Sequence, residues 1–451
     1  MLFQALYAST SDAYFVQSVF ELEGEVDTQT LQSSWQMVSD HHPILRTGFV
    51  WEKLETPLQY VLESTQVPFT EYDWREIDEE KEQQKKIEEF IQEDRRKGFD
   101  LSKAPLFRLA LIQCAKDKHY LIWSQHHILT DGWCLPIILG DVFKSYQAIR
   151  EGKEPQLAPR RPYRDYIAWL QQQDMKKAEA FWKEYLANIE EPTLLSFKDI
   201  IEKNPEKDYD TSSFEISIEE TEQLKNFAQK HNLTLNTVIQ GAVGLVLKTY
   251  IQQPEVTMGV TVSGRSINLP GIEEMVGLFI NTLPLKIAPQ PEDNILSFLT
   301  NLQEQAQRLN DYAYTPLAQI QSWSNINQSL FNMTFVFENY PVGENILFKK
   351  DSFEIKGVRS IEKTEYPLTV IIGPGRQLHI SLSYQTEHFN EECIKRFFGH
   401  TKQILRYMIQ PQEGEKITVH DLSLLTPQEE HQLLIEWNDT KAEYPEQKTI
   451  H

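Results

Sequence analysis

An apolar segment, His119-Tyr120-Leu121-Ile122-Trp123, runs directly into Gln125-His126-His127-Ile128-Leu129-Thr130-Asp131-Gly132-Trp133. Beyond it Leu135, Ile138, Leu139, Val142, Phe143 and Tyr146 recur at helical spacing. The first part, rich in aromatic and branched residues, predicts a strand, and the last part predicts an amphipathic helix. The polar run therefore sits at a strand-to-helix turn. Neighbouring strand residues point to opposite faces, so only one of the two histidines can face a cleft while the other packs inward. Asp131 stands where the chain turns into the helix and can either cap it or hold a cation, and Gly132 eases the turn. A histidine in such a place is a candidate general base, because imidazole titrates near working pH. A packed structural pair is the alternative. Metal binding is not expected, since no His-Glu-x-x-His or paired Cys-x-x-Cys run adds ligands.

The same alternation of strand and helix continues in both halves. Strand-like Tyr14 to Phe20 leads to a helix from Asp27 to Asp40 with Leu31, Trp35 and Val38 on one face, and Phe107 to Ile112 adds a strand. The charged run Glu76 to Lys97 reads as a solvated helix. Glu151 to Pro162, with three prolines and five charged residues, reads as a linker. Further on, a helix holds Tyr166, Trp169 and Trp182, and Thr234 caps an apolar helix through Val246 and Leu247. Strands are expected at Val256 to Val262, Leu278 to Leu285 and Leu378 to Tyr384, and a helix from Glu391 to Ile409. Interleaved strands and helices over 451 residues predict two α/β lobes.

Six stretches then carry a family resemblance. His126 to Trp133 is similar to the HHxxxDG motif of condensation domains of nonribosomal peptide synthetases, within the chloramphenicol-acetyltransferase-like superfamily. Asp40-His41-His42-Pro43-Ile44-Leu45-Arg46-Thr47-Gly48-Phe49 resembles the early RHxxLRTxF motif, with His41 where arginine is usual. Tyr163 to Trp169 resembles YxDFAxW. Val276 to Lys286 resembles GxFVNTxxxR, with Lys286 in place of arginine. Tyr314-Thr315-Pro316-Leu317 and Phe335 to Pro341 match a later pocket motif and a late core strand. The matches keep the family's order and span nearly the whole chain.

The resemblance implies two chloramphenicol-acetyltransferase-like α/β lobes set as a V around a tunnel, residues 1–158 forming the N-terminal lobe and 159–424 the C-terminal one. Residues 425–451, with Trp437-Asn438-Asp439-Thr440, resemble the linker into an adenylation domain, and Met1 to Tyr7 resembles a point inside or just after the family's opening motif. Both ends are thus expected to be cut near natural borders. An upstream donor carrier and a downstream acceptor carrier would each present a phosphopantetheine-borne thioester, and the acceptor amine would attack the donor carbonyl. No cofactor of the chain's own is implied. By match to the family, His127 would handle the amine proton and the Gly132 N–H would face the oxyanion. His126 would be packed, and Asp131 structural, paired with Arg46 or else Lys286. Trp133, Asn281 and Tyr314 are expected to line the tunnel. Within the family, the His126 and Phe279 runs look most like the subtype taking L-configured donors. Epimerisation domains share HHxxxDG but do not lead into an adenylation domain. Heterocyclisation domains carry aspartates where His126 and His127 stand, and non-catalytic recruitment domains lose His127, Asp131 or Gly132.

Composition narrows the partners. A net charge of −22 disfavours nucleic acid and anionic membranes. Three widely spaced cysteines suit a reducing cytoplasm, and neither an export leader nor an 18-residue apolar run is found.

Overall fold

A computed structural model describes residues 14–77, 79–198, 208–290, 292–326, 328–339, 349–350, 353–409 and 418–440. The opening Met1 to Tyr7, the end of the Phe335 to Pro341 run and Thr449 to His451 lie outside the described residues. The strands are β1 (Phe15–Gly24), β2 (Thr47–Val50), β3 (Leu58–Val61), β4 (Phe69–Asp73), β5 (Phe107–Gln113), β6 (Lys118–His126), β7 (Tyr209–Ile216), β8 (Val256–Val262), β9 (Asn281–Ile287), β10 (Met333–Phe337), β11 (Lys349–Lys350), β12 (Phe353–Ile361), β13 (Leu368–Gly373) and β14 (Leu378–Gln385). The helices are α1 (Thr28–His41), α2 (Glu80–Lys97), α3 (Cys134–Arg150), α4 (Arg164–Leu170), α5 (Met175–Tyr185), α6 (Ile218–Lys230), α7 (Leu235–Ile251), α8 (Ile295–Asn310), α9 (Leu317–Trp323), α10 (Glu391–Ile409) and α11 (Pro427–His431).

The chain forms two compact units that interleave in sequence. The first takes residues 1–178, 262–281 and 338–365, and the second takes the rest. The second unit is therefore not the contiguous 159–424 span drawn from the linker. The physical reason is strand pairing and charge: β12 pairs antiparallel with β1, and Arg265 pairs with Asp131, so both later segments return to the first unit.

In the first unit a sheet runs β11-β12-β1-β6-β5-β4, antiparallel except between β4 and β5. Strand period explains its two covered faces. Leu121 and Trp123 of β6 point to one side, where Trp35 of α1 and Ile138 and Val142 of α3 close the core. Trp35 meets Trp123 edge-on at 5.0 Å between ring centres, a geometry aromatic quadrupoles favour. Tyr120 and Ile122 point to the other side, against Ile87 and Ile91 of α2. Asp27 caps α1 by accepting from the Thr30 N–H. The helix read as solvated is so only on its outer side, since Asp94 and Arg95 of its last turn are buried and charged.

In the second unit the sheet runs β7-β14-β13-β10-β8-β9, with β10 parallel to both β8 and β13. Thr234 caps α7, and nearly every side chain of that helix from Thr237 to Leu247 is buried. A methyl group at Gly241 would collide with Leu299, so the missing side chain lets α8 approach. Two expectations shift. The helix read through Trp169 and Trp182 is two helices, α4 and α5, with Asp174 accepting from the Lys176 and Lys177 N–H groups at the break. The strand expected from Leu278 begins instead at Asn281, because the preceding residues are committed to side-chain contacts described below.

Candidate active site

β6 carries both histidines to the end of the first sheet. The His126 N–H donates to Leu106 O at 2.9 Å, and the His127 N–H donates to Tyr14 O at 2.8 Å, so the backbone of each is pinned. The buried His126 ring accepts from the Ile128 N–H at Nδ1, 3.1 Å away. Burial, helped by the neighbouring His127, pushes its pKa down to about 4. His126 is thus a neutral prop inside the turn. Thr130 closes the loop by donating to Gln125 Oε1 at 2.9 Å.

His127 points elsewhere. Its Nε2 lies 3.3 Å from Glu362 Oε1, and the two side chains keep 10% and 38% of their surface exposed. Nδ1 is buried and, among the described residues, meets no partner beyond its own residue's backbone. Burial by itself would lower the His127 pKa, but the Glu362 carboxylate outweighs it and raises the value to about 9. Glu362 arrives from the residue after β12, and nothing in its local sequence announces it. Register explains the meeting: β1 lies between β6 and β12, pairing Phe15 with His126 on one side and Gln17 with Ile361 on the other. Residues just past those pairs emerge at the same end of the sheet.

Asp131 is fully buried and holds Arg265, not Arg46. Its Oδ1 lies 3.1 Å from Arg265 Nη2, and its Oδ2 accepts from the Phe279 N–H at 2.9 Å. The guanidinium also donates to Ile272 O and Met275 O and lies 4.1 Å over the Phe279 ring. Cys134, the first residue of α3, donates to Gly277 O and accepts from the Gly277 N–H. Its thiol is pushed well up by burial, so it serves as a packed hydrogen-bonding group. Gly277 has no room for a side chain, since a Cβ there would run into the Tyr163 ring. Tyr163 in turn donates to Leu278 O at 2.5 Å. The Tyr163 and Val276 runs are therefore joined to the histidine turn by one buried ion pair and its hydrogen bonds.

The two cations expected beside Asp131 are engaged elsewhere. Arg46 donates to the carbonyls of Ser39, Asp40, Leu62 and Glu63, which tie α1 to β3. Four of the five guanidinium N–H groups are thus committed to these carbonyls and not to Asp131. Lys286 lies in the second unit, 3.7 Å from Glu255 and above the Tyr185 ring. Gly132 sits in the turn itself, and its φ lies outside the left-handed region, so its value here is size and a backbone N–H. Trp133 and Asn281 belong to the first unit and Tyr314 to the second, all half-buried. Glu362, Arg265 and Cys134 are what sequence reasoning missed.

One cluster invites comparison with a metal centre. His41, His42 and Asp141 place a ligand atom each within 4.8 Å of one another. Asp141 is already bound by His42 Nε2 at 2.9 Å and by Arg160 at 3.2 Å. A guanidinium on the carboxylate repels a second cation, so the cluster is an ion-pair network joining α1, α3 and the linker.

The site thus joins a buried histidine at a sheet end to an aspartate locked to arginine within a mixed α/β chain. The condensation domain family matches residues 1–434, and the chain belongs to it. Bacitracin synthase 3 of Bacillus licheniformis is 37% identical over 454 residues, covering all of this chain and 7% of that protein. Gramicidin S synthase 2 of Aneurinibacillus migulanus is 36% identical over 457 residues, again over all of this chain and 10% of that protein. The chain thus spans a tenth or less of the length of these relatives. The starter condensation domain of rhizomide synthetase, as a mutant, shares the fold with a TM-score of 0.76 at 17% identity, covering 94% of this chain and 95% of that one. Among the described residues, no helix is long and apolar enough to cross a membrane.

Proposed function

We propose that the chain forms a peptide bond between a donor acyl or peptidyl thioester and the amine of an acceptor aminoacyl thioester, both borne on phosphopantetheine arms of carrier domains in a cytoplasmic synthetase. A following adenylation domain is the proposed neighbour, and L-configured donors are the proposed subtype. The observation that carries this reading is the intact turn His127-Ile128-Leu129-Thr130-Asp131-Gly132, with Asp131 locked to Arg265 and His127 Nε2 turned to a partly exposed carboxylate. A recruitment or epimerisation role remains the rival.

A thioester is already activated, so the chain needs to hold two tethered reactants together, which can supply several kcal/mol in effective concentration. It must also manage a proton. The amine attacks the thioester carbonyl, the N–C bond forms, and His127 Nε2 takes a proton from the nitrogen. The Gly132 N–H would stabilise the developing oxyanion, as its position in the turn after Asp131 suggests. The C–S bond then breaks and the departing thiolate recovers the proton from His127. Asp131 is buried and held by Arg265 and the Phe279 N–H, and acts by fixing the turn. The test is to supply carrier-loaded donor and acceptor and weigh both carriers intact. Dipeptidyl acceptor with an emptied donor supports the reading. Unchanged loads in the presence of active partner domains, or inversion without transfer, would favour a rival.

A further inference from the structure

Nε2 of His127 lies 3.3 Å from Glu362, whose carboxylate raises the ring's pKa to about 9, and an imidazolium held there cannot accept a proton from an attacking amine. Something must take its place on the carboxylate. The acceptor itself carries the required group, because an aminoacyl thioester enters with its α-nitrogen partly as ammonium, a compact cation with three donors. Glu362 is built to receive one. Its side chain is 38% exposed, so it can be reached, while its partner His127 keeps only 10%.

The strand end that carries Glu362 is also held from behind. Arg95 of α2 donates to Ile361 O at 3.4 Å, the residue before Glu362, and to Phe15 O at 2.8 Å on β1. It is fixed in turn by Gln17, which donates to Asp94, while Asp94 accepts from Arg108 and Ser124. This buried charged network, the part of α2 that its sequence did not foretell, presses against the strand end that delivers Glu362. Burial opposes charge on Glu362, but His127 and Arg95 hold its pKa below the usual range, so it stays an anion ready for a cation.

We propose that Glu362 is the seat of the acceptor α-ammonium: the substrate cation replaces the His127 imidazolium on this carboxylate, and His127 is thereby released in the neutral form that accepts the proton during attack. This rests on the peptide-bond reading of the site. The balance closes. Once parted from Glu362, the His127 imidazolium loses its raised pKa and gives its own proton to solvent. Of the ammonium protons, one passes by way of the carboxylate to solvent, the second passes from the attacking nitrogen to the now neutral His127 and on to the departing thiolate, and the third stays on the amide. One N–C bond forms and one C–S bond breaks.

The test uses the full chain and two non-transferable probes, a glycyl amide of aminopantetheine and its glycolyl counterpart, in which hydroxyl replaces amine. Wild type should bind the glycyl probe roughly ten- to a hundred-fold more tightly, the range for one hydrogen bond to a charged group. Glu362→Gln should lose that preference while binding the glycolyl probe as before, and Glu362→Asp should keep most of it. His127→Ala should retain the preference, since the seat is left without its internal cation. Equal binding of both probes by wild type, no binding of the glycyl probe, or a preference that survives in Glu362→Gln would overturn the proposal. Should Glu362→Gln fail to fold, a preference lost in Glu362→Asp would overturn it too. Binding is read without turnover, so a chain that never makes a dipeptide would sink the peptide-bond reading while leaving this result standing.

Discussion

Removing Arg265 is the sharpest perturbation of the frame behind the histidine turn. The Asp131 side chain has no exposed surface and Arg265 keeps 5% of its own. In Arg265→Ala, Oδ1 of Asp131 would be left competing with Gly277 O for the single, weakly donating Cys134 S–H, while Oδ2 would keep the Phe279 N–H. Met275 O would lose the guanidinium as donor, and Ile272 O would keep only the Met275 N–H. Orphaning one member of a buried pair typically costs ~3–5 kcal/mol. For a folding unit of this size that is roughly 6–20 °C in melting temperature. The assay is thermal and denaturant unfolding of a double-mutant cycle with Asp131→Asn. Each single change already destroys the pair, so the double should be less destabilised than the sum by about 1 kcal/mol or more. Arg46→Ala with Asp131→Asn should instead add to within about 0.5 kcal/mol, because Arg46 is held by other partners. Additive losses in the Arg265 cycle, or coupling between Asp131 and Arg46, would refute the pairing argument.

Two further outcomes follow from the two histidines. His126→Ala should lower stability by a few kcal/mol through a packing void and a lost acceptor for the Ile128 N–H, read by chemical unfolding. Because its folded pKa of about 4 lies below the ordinary 6.5, wild-type stability should be full above pH 6.5 and fall as pH drops toward 4; that slope should vanish in the variant. His127 behaves in the opposite sense. Its folded pKa, raised to about 9 by Glu362, makes its contribution full below pH 6.5 and lost as pH rises through about 9. The charged groups that set this are Glu362 and Asp131 facing the ring, with His126 beside it and Arg95 behind Glu362. Imidazole chemical shifts followed against pH should place the His127 titration lower in Glu362→Gln, and an unmoved titration would count against the pair.

The histidine turn was legible because everything that defines it is local: an apolar strand, a short polar run and a helical repeat, each with its own period. The core followed from the same periods, and α10 and the Thr234 cap were read to the residue. The partner of Asp131 was not legible, since Arg265 lies 134 positions away and competed with Arg46 and Lys286 on family pattern alone. A signal did exist, in that Gly264, with φ +65, bends the chain just before a lone arginine after a strand. Glu362 gave none. It is one of 66 acidic residues, and only the register of β1 with β6 and β12 brings it to His127. The lobe boundary failed for the same reason, because strand pairing returned residues 338–365 to the first unit.

The central claim is that His127 handles the amine proton in a reaction otherwise run by positioning. Single-turnover transfer between loaded carriers, compared for wild type and His127→Ala at equal saturation, tests it most directly. A fall of roughly 10²–10⁴-fold with an unshifted melting temperature, apart from the small loss of the Glu362 pair, is predicted. Near-normal transfer by a folded His127→Ala protein would contradict it.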